Sequence, residues 1–136
     1  RSGNDMPDEN VVKSLEWLKE HSEKNATVLS HPSKGFWIEY FCDMHVILDG
    51  DIRYIENLDE KEKDMDEIWN SRNLQSTKTL LKKYEINYIW IDEEMKNGLV
   101  WTKEDQGLLF LFRNARTFKK VYSQDNIDIW LVRYEN

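Results

Sequence analysis

The residues with the clearest capacity for chemistry form a short polar segment, residues 30–35, between an apolar run and a predicted helix. It carries two hydroxyls, an imidazole, an ammonium and a glycine, which belong to Ser30, Ser33, His31, Lys34 and Gly35. In open α/β sheets, ligands gather at the carboxyl ends of parallel strands, where the following helix offers backbone donors to anions. The segment therefore predicts a site for a small anionic ligand, with helix capping by the same side chains as the alternative.

Two carboxylates follow the next predicted strand. Asp49-Gly50-Asp51 has the Asp-x-Asp form that many nucleotide-sugar transferases use to hold a divalent cation. An Asp-Gly pair after a strand is also ordinary turn chemistry. Asp49 and Asp51 thus predict either a metal site of a nucleotide-sugar enzyme or a turn.

Three further features have simpler interpretations. Cys42 is the only cysteine, so it forms no disulfide within the chain, and it is interpreted as a small buried hydrophobic residue. Asp92-Glu93-Glu94 follows the third predicted strand and is interpreted as an exposed loop. Asn25-Ala26-Thr27 satisfies the glycosylation sequon, so Asn25 is a candidate for modification on the cell exterior.

Length and composition limit the function classes. The 136 residues are enough for one core, and we expect residues 1–7 to be a tag or linker remnant and residues 8–136 to form a single α/β domain. The net charge of −7, without a stripe of basic residues, argues against nucleic acid as a partner. The longest apolar run has five residues, whereas a membrane span needs about 20. No cofactor is predicted.

Periodicity predicts alternating helices and strands in the first half of the chain. Helical spacing extends over residues 8–22, a short strand over 27–30, a second helix over 36–41 and a second strand over 45–48. This order is typical of parallel strands joined by helices. Residues 56–67 hold seven acids and two lysines along a thin apolar stripe, which indicates a solvated amphipathic helix.

The second half adds a central strand and a hairpin. Ser76 is expected to cap a helix that leads to a buried strand at residues 88–91, and Thr102 with Asp105 to cap a helix over residues 108–112. Two strands around residues 124–126 predict an antiparallel hairpin. The predicted fold is α/β, a three-layer Rossmann-like mixed sheet with a parallel centre and a C-terminal antiparallel hairpin. Trp37, Trp69 and Trp101 remain either buried or part of a sugar-stacking surface.

Short segments along most of the chain carry a family resemblance. They are LEWLKE (15–20), ATVLS (26–30), LLKKY (80–84), INYIWI (86–91), FKKVYS (118–123) and IDIWLV (127–132). In this order they resemble the C-terminal extracytoplasmic region of polytopic archaeal and bacterial membrane glycosyltransferases, of the oligosaccharyltransferase and protein-mannosyltransferase kind. The Trp-Trp-Asp motif of the oligosaccharyltransferases does not occur in the sequence, so no catalytic residue is carried over.

The resemblance implies a non-catalytic domain on the extracytoplasmic face of the membrane. Its partners would be the membrane-spanning region of the same polypeptide and a glycan or protein acceptor, and its role would be acceptor access or assembly. Two alternatives remain: a free-standing Rossmann-like module that binds an anion at residues 30–35, and a metal-dependent nucleotide-sugar enzyme that uses Asp49 and Asp51.

Overall fold

A five-stranded mixed sheet forms the centre of the fold in the computed structural model, which describes residues 6–50 and 55–134. The strands are β1 (Thr27–Leu29), β2 (His45–Val46), β3 (Ile86–Ile91), β4 (Phe118–Gln124) and β5 (Ile127–Val132). Their order across the sheet is β2-β1-β3-β5-β4. β1 pairs in parallel with both β2 and β3, and β5 pairs antiparallel with both β3 and β4. This confirms a mixed α/β fold.

Strand β3 lies at the centre of the sheet, and its side chains are largely apolar on both faces. Ile89, Trp90 and Ile91 are almost completely buried. A continuous apolar run of this kind is typical of a strand that is covered on both sides. The strand predicted at residues 88–91 is therefore confirmed, and it begins two residues earlier, at Ile86.

The C-terminal hairpin follows from its two-residue turn. Asp125 and Asn126 have φ angles of 56° and 62°. Positive φ at both central positions is typical of the turn whose twist matches that of two antiparallel strands, and Asp and Asn tolerate this conformation. The predicted hairpin is confirmed.

Helix α1 (Glu9–His21) is capped by Asp8, whose carboxylate accepts a hydrogen bond from the Val11 amide at 3.0 Å. Ser14 Oγ accepts a hydrogen bond from Trp90 Nε1 at 2.9 Å, and both side chains are buried. This contact fixes α1 against the central strand, because a buried indole N–H without a partner is costly. The predicted helix at residues 8–22 is confirmed.

Helix α2 (Gly35–Cys42) follows a 3₁₀ turn at Pro32–Lys34 and connects β1 to β2. Its sequence is apolar almost all round, yet Phe36 and Tyr40 are exposed. The second strand is shorter than predicted, since only His45 and Val46 pair with β1.

The acidic segment forms α3 (Leu58–Asn70), and its buried residues are Met65, Ile68 and Trp69, as the apolar stripe predicts. Helix α4 (Leu74–Lys83) begins earlier than predicted. The prediction that Ser76 caps it is wrong: the side chain of Asn73 accepts from the Ser76 amide at 3.0 Å, so Asn73 is the cap.

Helix α5 (Leu108–Leu111) is shorter than predicted, and the Thr102–Asp105 capping box does not form. Instead, Gln106 Oε1 accepts a hydrogen bond from the Thr102 amide at 2.9 Å. Gly107 precedes the helix with φ of 52°, and a Cβ at this position would lie 2.1 Å from the carbonyl oxygen of Trp69. Only glycine permits this close approach of the two backbones.

Between β3 and α5, residues 92–100 form a surface segment rather than an extended loop. Met95–Leu99 makes a wide helical turn that is interrupted at Asn97 and Gly98. No helix among residues 6–50 and 55–134 is both long enough and apolar enough to span a bilayer.

Candidate functional site

The segments after β1, β2 and β3 meet at the carboxyl edge of the parallel strands. Ser30, Lys34 and Gly35 are buried there, Ser33 is exposed and His31 is half-buried. Ser30 Oγ contacts Met95 Sδ at 3.5 Å, which joins the segment after β1 to the segment after β3. Residues 30–35 thus lie where a ligand site was predicted, and their contacts determine what they can bind.

Lys34 is the charged centre of this edge. Its Nζ atom lies 3.1 Å from Asp92 Oδ2, contacts Glu94 Oε1, and lies 5.2 Å from the ring centroid of Trp37. Burial alone would lower the pKa of Lys34, but the hydrogen bonds to Glu94 and Asp92 outweigh it, so the pKa is raised. The ammonium is therefore charged and already compensated by two carboxylates. This arrangement weighs against an anionic ligand at Lys34.

His31 is held as a neutral ring. Its Nδ1 atom accepts a hydrogen bond from the Ser33 amide at 3.1 Å and lies 2.8 Å from Ser33 Oγ. Burial, and then the charge of Lys34, lower the pKa of His31. Because Nδ1 accepts from the amide, the neutral ring carries its proton on Nε2 and can donate one hydrogen bond.

Gly35 brings α2 against the segment after β2. A Cβ at Gly35 would lie 2.7 Å from Asp49 Cβ, so a larger residue would push the two segments apart. One turn later, the carboxyl of Glu39 hydrogen-bonds with that of Asp49. Burial, this hydrogen bond and the charge of Asp49 together raise the pKa of Glu39 to about 7.

Only one of the two residues of the proposed Asp49-x-Asp51 metal site lies within the described residues. Asp49 pairs with Glu39, whereas Asp51 lies outside the described residues. Within residues 6–50 and 55–134, no group of three or more His, Cys, Asp or Glu side chains is placed to hold a metal ion.

The thiol and the glycosylation candidate lie away from this edge. Cys42 is buried in α2 and its Sγ donates a hydrogen bond to the Leu15 carbonyl at 3.2 Å. Burial raises the pKa of Cys42 to about 12, so the thiol is not a nucleophile at neutral pH. Asn25 is exposed with φ of 70°, and Thr27 of the same sequon is buried in β1.

A cleft opens between residues 31–32 and helix α3, which we name the loop–α3 cleft. It has a volume of about 260 Å³. Leu48, Met65 and Trp69 form its apolar wall, and its polar lining comes from His31, Glu62, Asp66 and Asn70. The cleft therefore combines hydrogen-bond acceptors and one imidazole donor with an apolar wall.

Trp69 is held rigidly at the back of this cleft. Its carbonyl accepts a hydrogen bond from Trp101 Nε1 at 2.8 Å, and the two indoles pack edge to face at 5.4 Å. Trp69 and Trp101 are buried and Trp37 is half-buried, so these three do not form an exposed stacking surface.

The sequence did not predict that polar residues of α3 line the loop–α3 cleft. Glu62, Asp66 and Asn70 are spaced by four residues and share one face of α3, next to Met65 and Trp69. That spacing was visible, but it also fits a solvated helix. Only the fold brings this face to His31.

Comparison with known proteins gives matches among solved structures. No protein-family model matches the chain, and no curated protein matches its sequence. A C-terminal globular domain of an oligosaccharyltransferase from Archaeoglobus fulgidus superposes with a TM-score of 0.73 at 15% identity, covering 95% of this chain and 100% of that domain. A second such domain from that organism gives 0.59 at 16% identity, covering 96% and 98%.

The longer matches place the same fold inside a larger enzyme. The Archaeoglobus fulgidus oligosaccharyltransferase tethered with an acceptor peptide containing the Asn-Val-Thr sequon matches with a TM-score of 0.54 at 12% identity. The match covers 94% of this chain and 18% of that one. This chain thus shares the fold of the C-terminal globular domains of archaeal oligosaccharyltransferases, which confirms the resemblance at the level of the fold.

The Glu39–Asp49 pair predicts a pH-dependent stability. A raised folded-state pKa means that protonation of Glu39 favours folding, so its contribution is complete below the unfolded value of 4.5 and is lost as the pH rises through about 7. We expect Glu39→Gln, which cannot ionise, to be the more stable chain at about pH 8 by up to about 1 kcal/mol, because solvent screens the exposed Glu39 carboxyl. Urea unfolding at about pH 5 and about pH 8 measures the difference.

The matched control is Glu67→Gln, an exposed glutamate on α3. Its unfolding free energy should follow that of the parent chain at both pH values. Equal pH dependence of the Glu39→Gln variant and the parent chain would show that the two carboxyls do not interact.

Proposed function

We propose that this chain is a non-catalytic, extracytoplasmic domain of a membrane glycosyltransferase-like protein that assists acceptor access. The observation that carries the proposal is the fold match, which extends over 95% of the chain and the whole of an isolated oligosaccharyltransferase globular domain. In the longer structures this fold accounts for 18% of the enzyme, so a membrane-spanning region of the same polypeptide is the proposed partner.

The helices are proposed to complete a three-layer Rossmann-like arrangement. Trp90 contacts Ser14 of α1, while Trp130 stacks on Phe112, just after α5. Ile89 of β3 pairs with Trp130 of β5, so these two side chains lie on one face of the sheet, and Trp90, the next residue of β3, lies on the other face. This alternation supports a helical layer on each face of the sheet.

A supporting role, rather than catalysis, fits the state of the ionisable groups. The charge of Lys34 is compensated by Asp92 and Glu94, and the buried Cys42 thiol is protonated and donates a hydrogen bond to the Leu15 carbonyl. A nucleophile or general base needs an activated group that can reach the substrate. These side chains instead hold segments of the fold together.

The acceptor that the loop–α3 cleft suits is a polypeptide with a hydroxyl side chain. Glu62 and Asp66 can accept its O–H or N–H groups, and His31 Nε2 can donate to an oxygen. Met65 and Trp69 offer an apolar surface to a methyl group. The tethered peptide in the Archaeoglobus fulgidus enzyme contains Asn-Val-Thr, whose threonine combines a hydroxyl with a methyl group.

A peptide that contains Asn-Val-Thr is the probe for this cleft. We expect it to shift the NMR signals of His31, Asn70 and the Trp69 indole. Glu62→Gln, which replaces a charged acceptor with a neutral one, should weaken its binding about fivefold, equivalent to about 1 kcal/mol. Glu67→Gln lies on the same helix outside the cleft and should bind like the parent chain.

Two results would count against acceptor binding at this cleft. One is an unchanged spectrum at high peptide concentration. The other is an equal loss of affinity in the Glu62→Gln and Glu67→Gln variants, since a general charge effect on α3 would then explain the binding.

The location is tested on the natural gene product in its own cells. An antibody against this chain should detect a protein that sediments with membranes, and protease added to intact cells should remove the epitope. An epitope that is protected until the cells are broken would contradict an extracytoplasmic position, and a protein that remains in the high-speed supernatant would contradict the tether.

A further inference from the structure

Basic side chains gather at one corner of the fold, where α5 ends and β4 begins. Residues 106–124 contain four cations and no acidic residue, although the whole chain has a net charge of −7. The fold adds two arginines from distant positions in the chain. We name this surface the basic corner, and it consists of Arg72, Arg113, Arg116, Lys119, Lys120 and Arg133.

Two sets of contacts bring the distant arginines to this corner. The guanidinium carbon of Arg72 lies 3.7 Å from the ring centroid of Phe110, and that of Arg113 lies 5.3 Å from the same centroid. The Arg133 amide donates a hydrogen bond to the Thr117 carbonyl at 2.8 Å. Residues from three separate parts of the chain thus form one basic surface.

The cations of the basic corner are largely uncompensated. Among residues 6–50 and 55–134, only Arg113 of the six forms an ion pair, with Asp105 at 2.7 Å, and both of these side chains are more than half exposed. Lys120 Nζ lies 5.3 Å from the ring centroid of Trp130, a contact that supplies no negative charge of its own kind such as a carboxylate. Like charges repel one another, so an anion beside this surface would lower its free energy.

The cations spread along the corner instead of converging on one point. β4 is the last strand in the order of the sheet, and successive residues of a strand point to opposite faces, so Lys119 and Lys120 lie on opposite sides of an outer strand. A site for one small molecule needs polar groups that converge, whereas an extended array of phosphates can be reached by cations that are spread out. Lysines on an outer strand also prevent edge-to-edge pairing, but that role does not account for Arg72, Arg113 and Arg116.

We propose that the basic corner contacts the anionic phosphate groups of a lipid bilayer and so sets the orientation of the domain on the membrane. The inference rests on the membrane tether of the proposed function, because a tethered domain meets the bilayer at a high effective concentration and weak electrostatic contacts are then sufficient. Each Lys or Arg close to an anionic membrane favours the contact about fivefold. Repulsion between the phosphates and the acidic remainder of the chain reinforces the same orientation.

Acetylation of lysines on the tethered chain tests this contact. The 136-residue chain, with a hexahistidine tag before Arg1, is held by a nickel-chelating lipid on vesicles of phosphatidylcholine with or without phosphatidylglycerol. Mass spectrometry measures the acetylation rate of each lysine. We expect Lys119 and Lys120 to react about fivefold more slowly on phosphatidylglycerol, because contact with the phosphates stabilises the unreactive ammonium form. Lys63 and Lys82, which are exposed on α3 and α4, should react equally on both vesicles, since charges are screened beyond about 8 Å at physiological salt.

A charge reversal within the basic corner provides the matched variant. Arg116→Glu should restore most of the reactivity of Lys119 and Lys120 on phosphatidylglycerol. Lys82→Glu changes the net charge by the same amount at a distant exposed position, and it should leave the protection of Lys119 and Lys120 unchanged. Salt at about 1 M, where the screening length falls to about 3 Å, should abolish the protection.

Three results would overturn the inference. They are equal acetylation of Lys119 and Lys120 on the two kinds of vesicle, equal protection of Lys63 and Lys82, and equal effects of the two variants. Protection by soluble polyglutamate but not by phosphatidylglycerol would assign the corner to an acidic polypeptide instead. Cell fractionation tests the tether separately, so a natural protein that sediments with membranes, together with unprotected Lys119 and Lys120, would contradict this inference alone.

Discussion

The ion pair between Lys34 and Asp92 holds the carboxyl edge of the sheet together. It connects the segment after β1 to the segment after β3, and both groups are largely buried, with side-chain exposures of 5% and 13%. Glu94 is 66% exposed, so its share of the interaction is screened and small. Removal of one partner from a buried pair typically costs about 3–5 kcal/mol, because the other charge is left without compensation. The positions of His31 and of residues 92–100 depend on this contact.

That contact also sets the electrostatics of this edge. The charge of Lys34 is compensated by two carboxylates, and burial and the charge of Lys34 lower the pKa of His31. On each side of residues 92–100, a concave surface with hydrogen-bonding side chains is open to solvent. Leu99 and Val100 line the loop–α3 cleft, whereas Glu93, Lys96 and Asn97 line a second cavity, between this segment and residues of α5 and β5. One segment thus forms a wall of both surfaces.

Local sequence signals predicted the elements whose cause is local. The helical spacing over residues 8–22, the apolar run of β3 and the turn at Asp125 and Asn126 each act within a few residues, and the structure agrees with them. The caps proposed at Ser76 and Thr102 were wrong because a neighbouring side chain, Asn73 or Gln106, makes the competing hydrogen bond.

The sites were harder to predict because they are assembled from distant parts of the chain. Lys34 and Asp92 are separated by 57 residues and His31 and Trp69 by 37, and no periodicity encodes such pairings. Residues 30–35 were placed at the right edge of the sheet by a general property of parallel strands. Their chemistry, however, is decided by Asp92 and Glu94, which the sequence suggested only as an exposed loop.

The most direct test of a polypeptide acceptor at the loop–α3 cleft is to locate the bound peptide. Intermolecular nuclear Overhauser effects between the labelled chain and an unlabelled Asn-Val-Thr peptide report contacts within about 5 Å, close to the range of side-chain packing. Peptide binding at the cleft predicts contacts from the threonine methyl group of the peptide to the Met65 methyl group and the Trp69 ring. Contacts confined to other surfaces, such as the groove beside Trp17 and Phe41, would contradict it.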